Sequence, residues 1–179
     1  YNFWTFRSLE TGISLEATLL ALALAYQMRQ HQAARMQATY QANHDPLTEL
    51  YNRRGFMGPA RSAWSTAERS GRSLSVILLD LDHFKQINDA HGHSVGDQAL
   101  VTCARMLASA GRAGDVVARW GGEEFIVLLP DTDQAQACAL AERLRLALAD
   151  CPIETQNSTL HITASFGVAE RAESSQFDD

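Results

Sequence analysis

Four carboxylates set in apolar surroundings are the residues with the most to say about chemistry. Asp80 and Asp82 close the run LSVILLDLD, and Glu123 and Glu124 follow Gly121-Gly122 between two further apolar runs. A β-strand alternates its side chains, so Asp80 and Asp82 share a face, and a tight Gly121-Gly122 turn can place Glu123 opposite them. Carboxylates that converge with no Lys or Arg between them repel one another, and divalent cations relieve that repulsion. Hard oxygen ligands select Mg²⁺ or Mn²⁺, and few protein ligands per ion leave room for water and substrate phosphates. Paired ions of this kind support phosphoryl transfer, one acidifying the attacking hydroxyl and the other holding the leaving pyrophosphate. The competing reading is that the acids mark strand ends and turns. It carries more weight for a lone Asp-x-Asp than for one with Gly-Gly-Glu-Glu on a neighbouring strand.

A second group lies in FKQINDAHGHSVGD, which holds Lys85, Asn88, Asp89, His91, Gly92, His93, Gly96 and Asp97. Guanine carries N1–H and N2–H₂ donors on one edge, so Asp97 can accept from both while Asn88 both donates and accepts. Adenine lacks that donor pair, and the buried polar groups it would leave unpaired provide discrimination. Taken alone, Asp97 reads equally as an acid complementing a helix dipole, and His91 and His93 as loop residues without a third metal ligand. The third feature is Arg112-Ala113-Gly114-Asp115, a bidentate binder of phosphate or guanine beside an acceptor. By itself that pair reads as a surface ion pair or turn.

These groups need a scaffold. Residues 74–81 form a β-branched and leucine run that predicts a buried strand. Residues 95–110 and 132–149 are periodic helices, 116–120 and 125–129 are short strands joined as a hairpin, and 160–168 is a further strand. The order β-α-β-β-α-β predicts an α+β fold, a ferredoxin-like or palm-type sheet with flanking helices.

Composition narrows the partners. Lys+Arg 15 against Asp+Glu 21 leaves a net charge of -6, which argues against nucleic acid, whose binders need surplus cations to displace counterions. Hydrophobic content of 46% and charged content of 20% exclude collagen, a disordered chain and a disulfide scaffold. Cys103, Cys138 and Cys151 are odd in number and far apart, and read as reduced, mostly buried thiols of a cytosolic domain.

Composition also changes near Asn43, dividing the chain into 1–42 and 43–179. The first part contains no proline and only Gly12, and reads as one long signalling helix. Leu15, Leu19, Leu22, Tyr26, Arg29, Ala33, Met36 and Tyr40 alternate in steps of four and three, the a/d spacing of a parallel coiled-coil homodimer. The alternative is a helix leaving a membrane, with residues 1–26 in or near it, since Arg29 and Arg35 follow the apolar run. Arg7, Glu10 and Glu16 interrupt the window of roughly 20 apolar residues that a bilayer requires. A signal peptide is not expected, because no basic region precedes the run and no cleavage site follows it.

The strings HDPLTELYNRR, LLDLDHFKQINDAHGHSVGDQAL, RAGDVVARWGGEEF and ITASFGVA resemble the successive motifs of the GGDEF domain, in family order and spacing, over roughly residues 43–170. The resemblance implies a diguanylate cyclase, which joins two GTP into cyclic di-GMP and releases two pyrophosphates, each subunit of a dimer presenting one GTP. It implies that Asp80 and Glu123 are catalytic and, with the Leu81 carbonyl, hold Mg²⁺ or Mn²⁺, Glu123 also assisting deprotonation of the 3′-hydroxyl. Asn88 and Asp97 would read guanine, and Phe84, Lys85 and Glu124 would contact the rest of the substrate. Arg112 and Asp115 match the inhibitory RxxD site, where cyclic di-GMP binds and slows the enzyme. Asp45, Leu47, Asn52 and Arg53 belong to the motif joining the signalling helix to the domain, where structural coupling is expected. The signature GGEEF is a variant that active members use.

One departure lies at the C-terminus. The family continues with a helix carrying a Lys and an Arg that grip the triphosphate, and then a last strand, so ITASFGVAERAESSQFDD is expected to belong to a fragment. Residues 8–30 are similar, less specifically, to the last helix of a seven-helix membrane sensor module. That likeness implies an intact receptor in the bacterial inner membrane with its catalytic domain in the cytoplasm. Two other readings are a catalytically idle domain binding cyclic di-GMP or GTP, and a palm-like nucleotide cyclase or polymerase using the same carboxylates.

Overall fold

The computed structural model describes residues 3–154, 159–172 and 177. It divides into two units, 1–41 and 42–179. The first is nearly all of helix α1, Phe3–Asn43. Its described side chains from Leu19 onward stand in solvent, including Leu20, Leu22, Leu24, Tyr26, Met28, Met36 and Tyr40. At 3.6 residues per turn, positions 19, 20, 22 and 24 spread around the helix instead of forming one stripe. The side chains of residues 1–18 and 21, which include Leu15 of the a/d seam and most of the 1–26 stretch read as membranous, lie outside those described. Among the described residues no helix is long and apolar enough to cross a membrane.

The second unit runs β1 (Tyr51–Asn52), α2 (Arg53–Ser70), β2 (Leu74–Leu81), α3 (Phe84–His91), α4 (His93–Ala110), β3 (Val116–Arg119), β4 (Glu124–Pro130), α5 (Gln134–Asp150), β5 (Pro152–Glu154), β6 (Thr159–His161) and β7 (Ala164–Glu170). Five strands form one sheet in the order β1-β3-β4-β2-β7, and β5 pairs with β6 alone. The four strands after β1 carry the β-α-β-β-α-β connectivity expected from the sequence, with β2 antiparallel to both β4 and β7. The α+β palm-type sheet with flanking helices is the fold found.

Alternation along the strands divides the core. Ile77, Leu79 and Leu81 of β2, with Phe125, Val127 and Leu129 of β4, pack beneath α4 and α5. Leu74, Ala118 and Leu128 face the other way, onto Phe56, Ala60 and Ala67 of α2. Each fully buried Leu, Ile or Phe contributes roughly 1.5–3 kcal/mol of transfer free energy, which makes these two layers the chief source of stability. Leu78 and Asp80 share the α2 side of β2, yet both are exposed. The carboxylate end of β2 is thus the uncovered end.

Three expectations need amendment. Of the cysteines read as mostly buried, only Cys103 is buried, Cys151 being half-buried and Cys138 exposed on the solvent side of α5. The single strand expected at 160–168 is two, β6 and β7, in different sheets. The chain changes sheet at Ile162, which is buried, and Thr163, whose carbonyl accepts the Asp82 N–H at 2.9 Å. Helix α2 was not foreseen, because its apolar face is built largely from alanines among Arg and Ser. Asn52 starts it, accepting the Gly55 N–H at 2.9 Å, and Gly71 stops it in the left-handed region at φ 66°.

Candidate functional site

Antiparallel register puts Asp80 directly opposite Glu124, with Ser165 on its other flank. Glu123 stands one residue before β4, and its carbonyl accepts the Leu81 N–H at 3.3 Å. Asp80, Leu81, Glu123 and Glu124 therefore meet at one end of the sheet. The cross-strand partner of Asp80 is Glu124, not Glu123 as the turn alone suggested, because Glu123 still belongs to the turn. Asp80 is exposed, and Glu123 and Glu124 are half-buried. A Cβ on Gly121 would meet Oε2 of Glu124, the far end of a flexible side chain that can swing aside.

Asp82 leaves this group despite sharing the face. Its Oδ1 accepts the Ser165 hydroxyl and its Oδ2 the Thr163 hydroxyl, each at 2.7 Å. The Ser165 bond, then the Thr163 bond, hold its carboxyl below the usual carboxylate range against a smaller opposing effect of burial. Its job is to tie the end of β2 to the segment entering β7.

Among the described residues, no three His, Cys, Asp or Glu side chains converge as a ready cage for a metal. The donors at the end of β2 are nevertheless hard oxygens, two of them on carboxylates within one strand spacing of each other. They suit a small dication that completes its shell with water and phosphate oxygens. The residue types fit Mg²⁺ or Mn²⁺ in the presence of a nucleotide.

The proposed base readers lie where α3 meets α4. Asn88 is on α3 and half-buried, and Asp97 is exposed near the start of α4. Between them, a Cβ on Gly96 would collide with Oδ1 of Asn88 and stand 3.2 Å from Cζ of Phe84. Glycine thus lets α4 close onto the Asn88 side chain of α3, and Asp97 is the next residue along α4. Phe84 is 8% exposed and belongs to the core, so its ring supports this junction from beneath, while Lys85 is exposed. Asp97 lines a cavity with Ser94, Gln98, Arg105, Ile153 and Leu47. Leu47, which motif reading assigned to coupling, is thus also a wall of the Asp97 cavity.

The Arg112 loop sits at the far end of β3, one strand length from the carboxylates. Asp115 accepts the Arg112 N–H on Oδ2 at 2.7 Å, and Arg112 in turn accepts the Asp115 N–H on its carbonyl at 3.1 Å. Gly114 permits the closure with φ 115°. Both residues line a cavity with Thr132, Gln136, Leu140 and Arg143. Arg143 escaped sequence reading because nothing local separates it from other charges on an amphipathic helix.

The family model described as diguanylate cyclase, GGDEF domain, matches residues 42–178, and the chain belongs to that family. It is 36% identical over 167 residues to the diguanylate cyclase DgcM of Escherichia coli K12, an alignment covering 93% of this chain and 40% of the relative. It is 42% identical over 130 residues to the response regulator PleD of Caulobacter vibrioides, covering 72% of this chain and 29% of that protein. The chain therefore spans less than half the length of these relatives.

Two solved structures extend the likeness. The coiled coil and GGDEF domain of DgcB from Caulobacter crescentus, in complex with c-di-GMP, superposes with a TM-score of 0.80 at 30% identity, covering 90% of this chain and 85% of the other. The active GGEEF domain of a diguanylate cyclase from Vibrio cholerae gives a TM-score of 0.65 at 37% identity, covering 70% and 79%.

Proposed function

We propose that the chain is the catalytic part of a diguanylate cyclase, which condenses two GTP into cyclic di-GMP with release of two pyrophosphates. The observation that carries this reading is the pairing of Asp80 with Glu124, and of the Leu81 N–H with the Glu123 carbonyl, at the open end of β2 and β4, within a GGEEF signature. Asp80, the Leu81 carbonyl and Glu123 would hold Mg²⁺ or Mn²⁺, which supplies acidification of the attacking hydroxyl and neutralisation of phosphate charge. Glu123 takes the proton of the 3′-hydroxyl as oxygen attacks the α-phosphorus of the facing GTP. Asn88 and Asp97 hold the guanine edge, Leu47 and Phe84 shape the space beside it, and Lys85 and Glu124 face the rest of the nucleotide. Each copy presents one GTP, so two copies must meet, and the a/d spacing along α1 supports a homodimer through that helix.

Product feedback is the role proposed for the cavity of Arg112 and Asp115, with Arg143 as a further cation for the product phosphates. The domain consumes GTP and so works in the cytoplasm. Attachment of the intact protein to the inner membrane rests only on the likeness of residues 8–30 to a sensor helix.

The test is direct. Incubated with GTP and Mg²⁺, the purified full-length protein forms cyclic di-GMP, identified by mass, and Asp80→Ala or Glu123→Ala leaves almost no turnover. Turnover retained in either variant overturns the assignment. A second reading is an idle domain that senses cyclic di-GMP through the cavity lined by Arg112, Asp115 and Arg143. Binding of cyclic di-GMP without GTP turnover would select it.

A further inference from the structure

The signature turn is held from outside by one side chain, Arg119. It is the last residue of β3, and alternation sends it to the face opposite the buried Ala118. Nε and Nη2 donate to the Gly122 carbonyl at 3.2 and 2.7 Å. Nη1 donates to both carboxylate oxygens of Asp45, at 3.1 and 3.2 Å. Arg119 and Asp45 are only 16% and 18% exposed, so solvent screens this ion pair far less than a surface one. A planar guanidinium can serve a carbonyl on one edge and a carboxylate on the other, whereas an ammonium cannot span both.

Asp45 is held in its turn. Its Oδ1 accepts the N–H and the hydroxyl of Thr48, at 2.9 and 2.7 Å. Burial pushes its carboxyl up, but the two Thr48 bonds and then Arg119 outweigh that and hold it below the usual carboxylate range. The rest of the entering segment is fastened alongside. Asn52 is the parallel partner of Arg119 and donates its side-chain amide to the carbonyls of Ala42 and His44, at 3.0 and 3.3 Å. The Arg53 guanidinium lies 4.7 Å over the Trp120 ring, and Phe56 meets that ring edge-on at 5.6 Å. Residues 44–56 are thus the frame in which residues 119–124 are set.

We infer that Arg119 is a positioning residue, clamping the Gly122 carbonyl to Asp45 so that Glu123 and Glu124 are correctly placed. It follows that releasing Asp45 slows phosphoryl transfer while GTP still binds. This deepens the cyclase reading and rests on it for its kinetic part. Glu123 is the next residue after Gly122, so rotation of that peptide moves the carboxylate directly, and a misplacement of about 1 Å costs roughly a hundredfold in rate. The guanine readers on α3 and α4 make no hydrogen bond to Arg119, so binding is expected to be spared.

The experiment compares the wild-type full-length protein with Asp45→Asn, Arg119→Met and Arg119→Lys by steady-state kinetics with GTP and by amide hydrogen exchange. Asp45→Asn and Arg119→Met should lower kcat by about ten- to a hundredfold with KM within about threefold, and Arg119→Lys should recover only part of the loss. Exchange at residues 120–124 should quicken by about tenfold or more in Asp45→Asn, while β2 and α4 stay protected. Unchanged exchange in the turn, uniform loss of protection across the fold, or full rescue by lysine would overturn the clamp. A wild-type full-length protein that makes no cyclic di-GMP, with exchange still quickened in Asp45→Asn, would sink the cyclase reading and leave the clamp standing.

Discussion

The two ends of the β3–β4 hairpin carry the two polar sites, and they are built on opposite principles. At the Glu124 end, carboxylates stand half-open at strand tips, placed by β-register and by a clamp that touches only the backbone of the turn. At the Arg112 end, a loop closes on itself and a helix supplies a further cation, so a walled cavity exists before any ligand arrives. Four residues of β3 separate the ends, roughly 13 Å of strand. A site that must change its charge partners during a reaction gains from being completed by the substrate. A site that only binds gains from being formed in advance.

Each contrast can be broken. The largest effect is expected from Glu123→Gln, which should cut turnover by about a thousandfold or more while calorimetry shows cyclic di-GMP binding at the Arg112 cavity unchanged. Loss of that binding would show the two ends to be one site. Gly96→Ala comes next. Its new methyl must displace the Asn88 amide, so KM for GTP should rise by about tenfold or more and preference over ATP should shrink. An unaltered GTP/ATP ratio would remove Asn88 from base reading.

At the other end, Arg112→Ala and Arg143→Ala should each weaken inhibition by added cyclic di-GMP by about tenfold with the initial rate nearly unchanged. If only Arg112→Ala does so, the α5 wall of the cavity is passive. The smallest effect concerns acid. Asp45 is held below its ordinary value of 3.8 in the folded chain, so its contribution to stability is fully present above that value and fades as pH falls through the lower folded one. The Tm gap between wild type and Asp45→Asn should be visible near pH 7 and narrow below about pH 4. A gap that stays constant would mean that the hydrogen bonds, not the charge, hold the segment.

Much of this arrangement was legible beforehand, and for local reasons. The LSVILLDL run is strand-like in every window, its ends agree with β2, and Gly-Gly between two apolar runs can only be read as a tight connection. Helix α2 was illegible because alanines at 60, 63 and 67 carry little periodic signal, although they pack well against Ala118 and Leu128. The break between β6 and β7 was hidden for the opposite reason. Residues 160–168 look uniformly strand-like, and only the pull of Asp82 on Thr163 and Ser165 shows where the chain changes sheet.

What the residues alone determined is the stock of chemistry and its order along the chain, since side-chain type, strand alternation and turn-forming glycines act over a few neighbours. Their match to the family's motifs follows from the same order. What the tertiary structure decided is every pairing across distance: Glu124 rather than Glu123 opposite Asp80, Leu47 on the Asp97 cavity, Arg143 beside Arg112, and Arg119 on Asp45, 74 positions away. Such contacts are set by how layers pack and strands register, and packing over that separation leaves no periodic trace in a one-dimensional string.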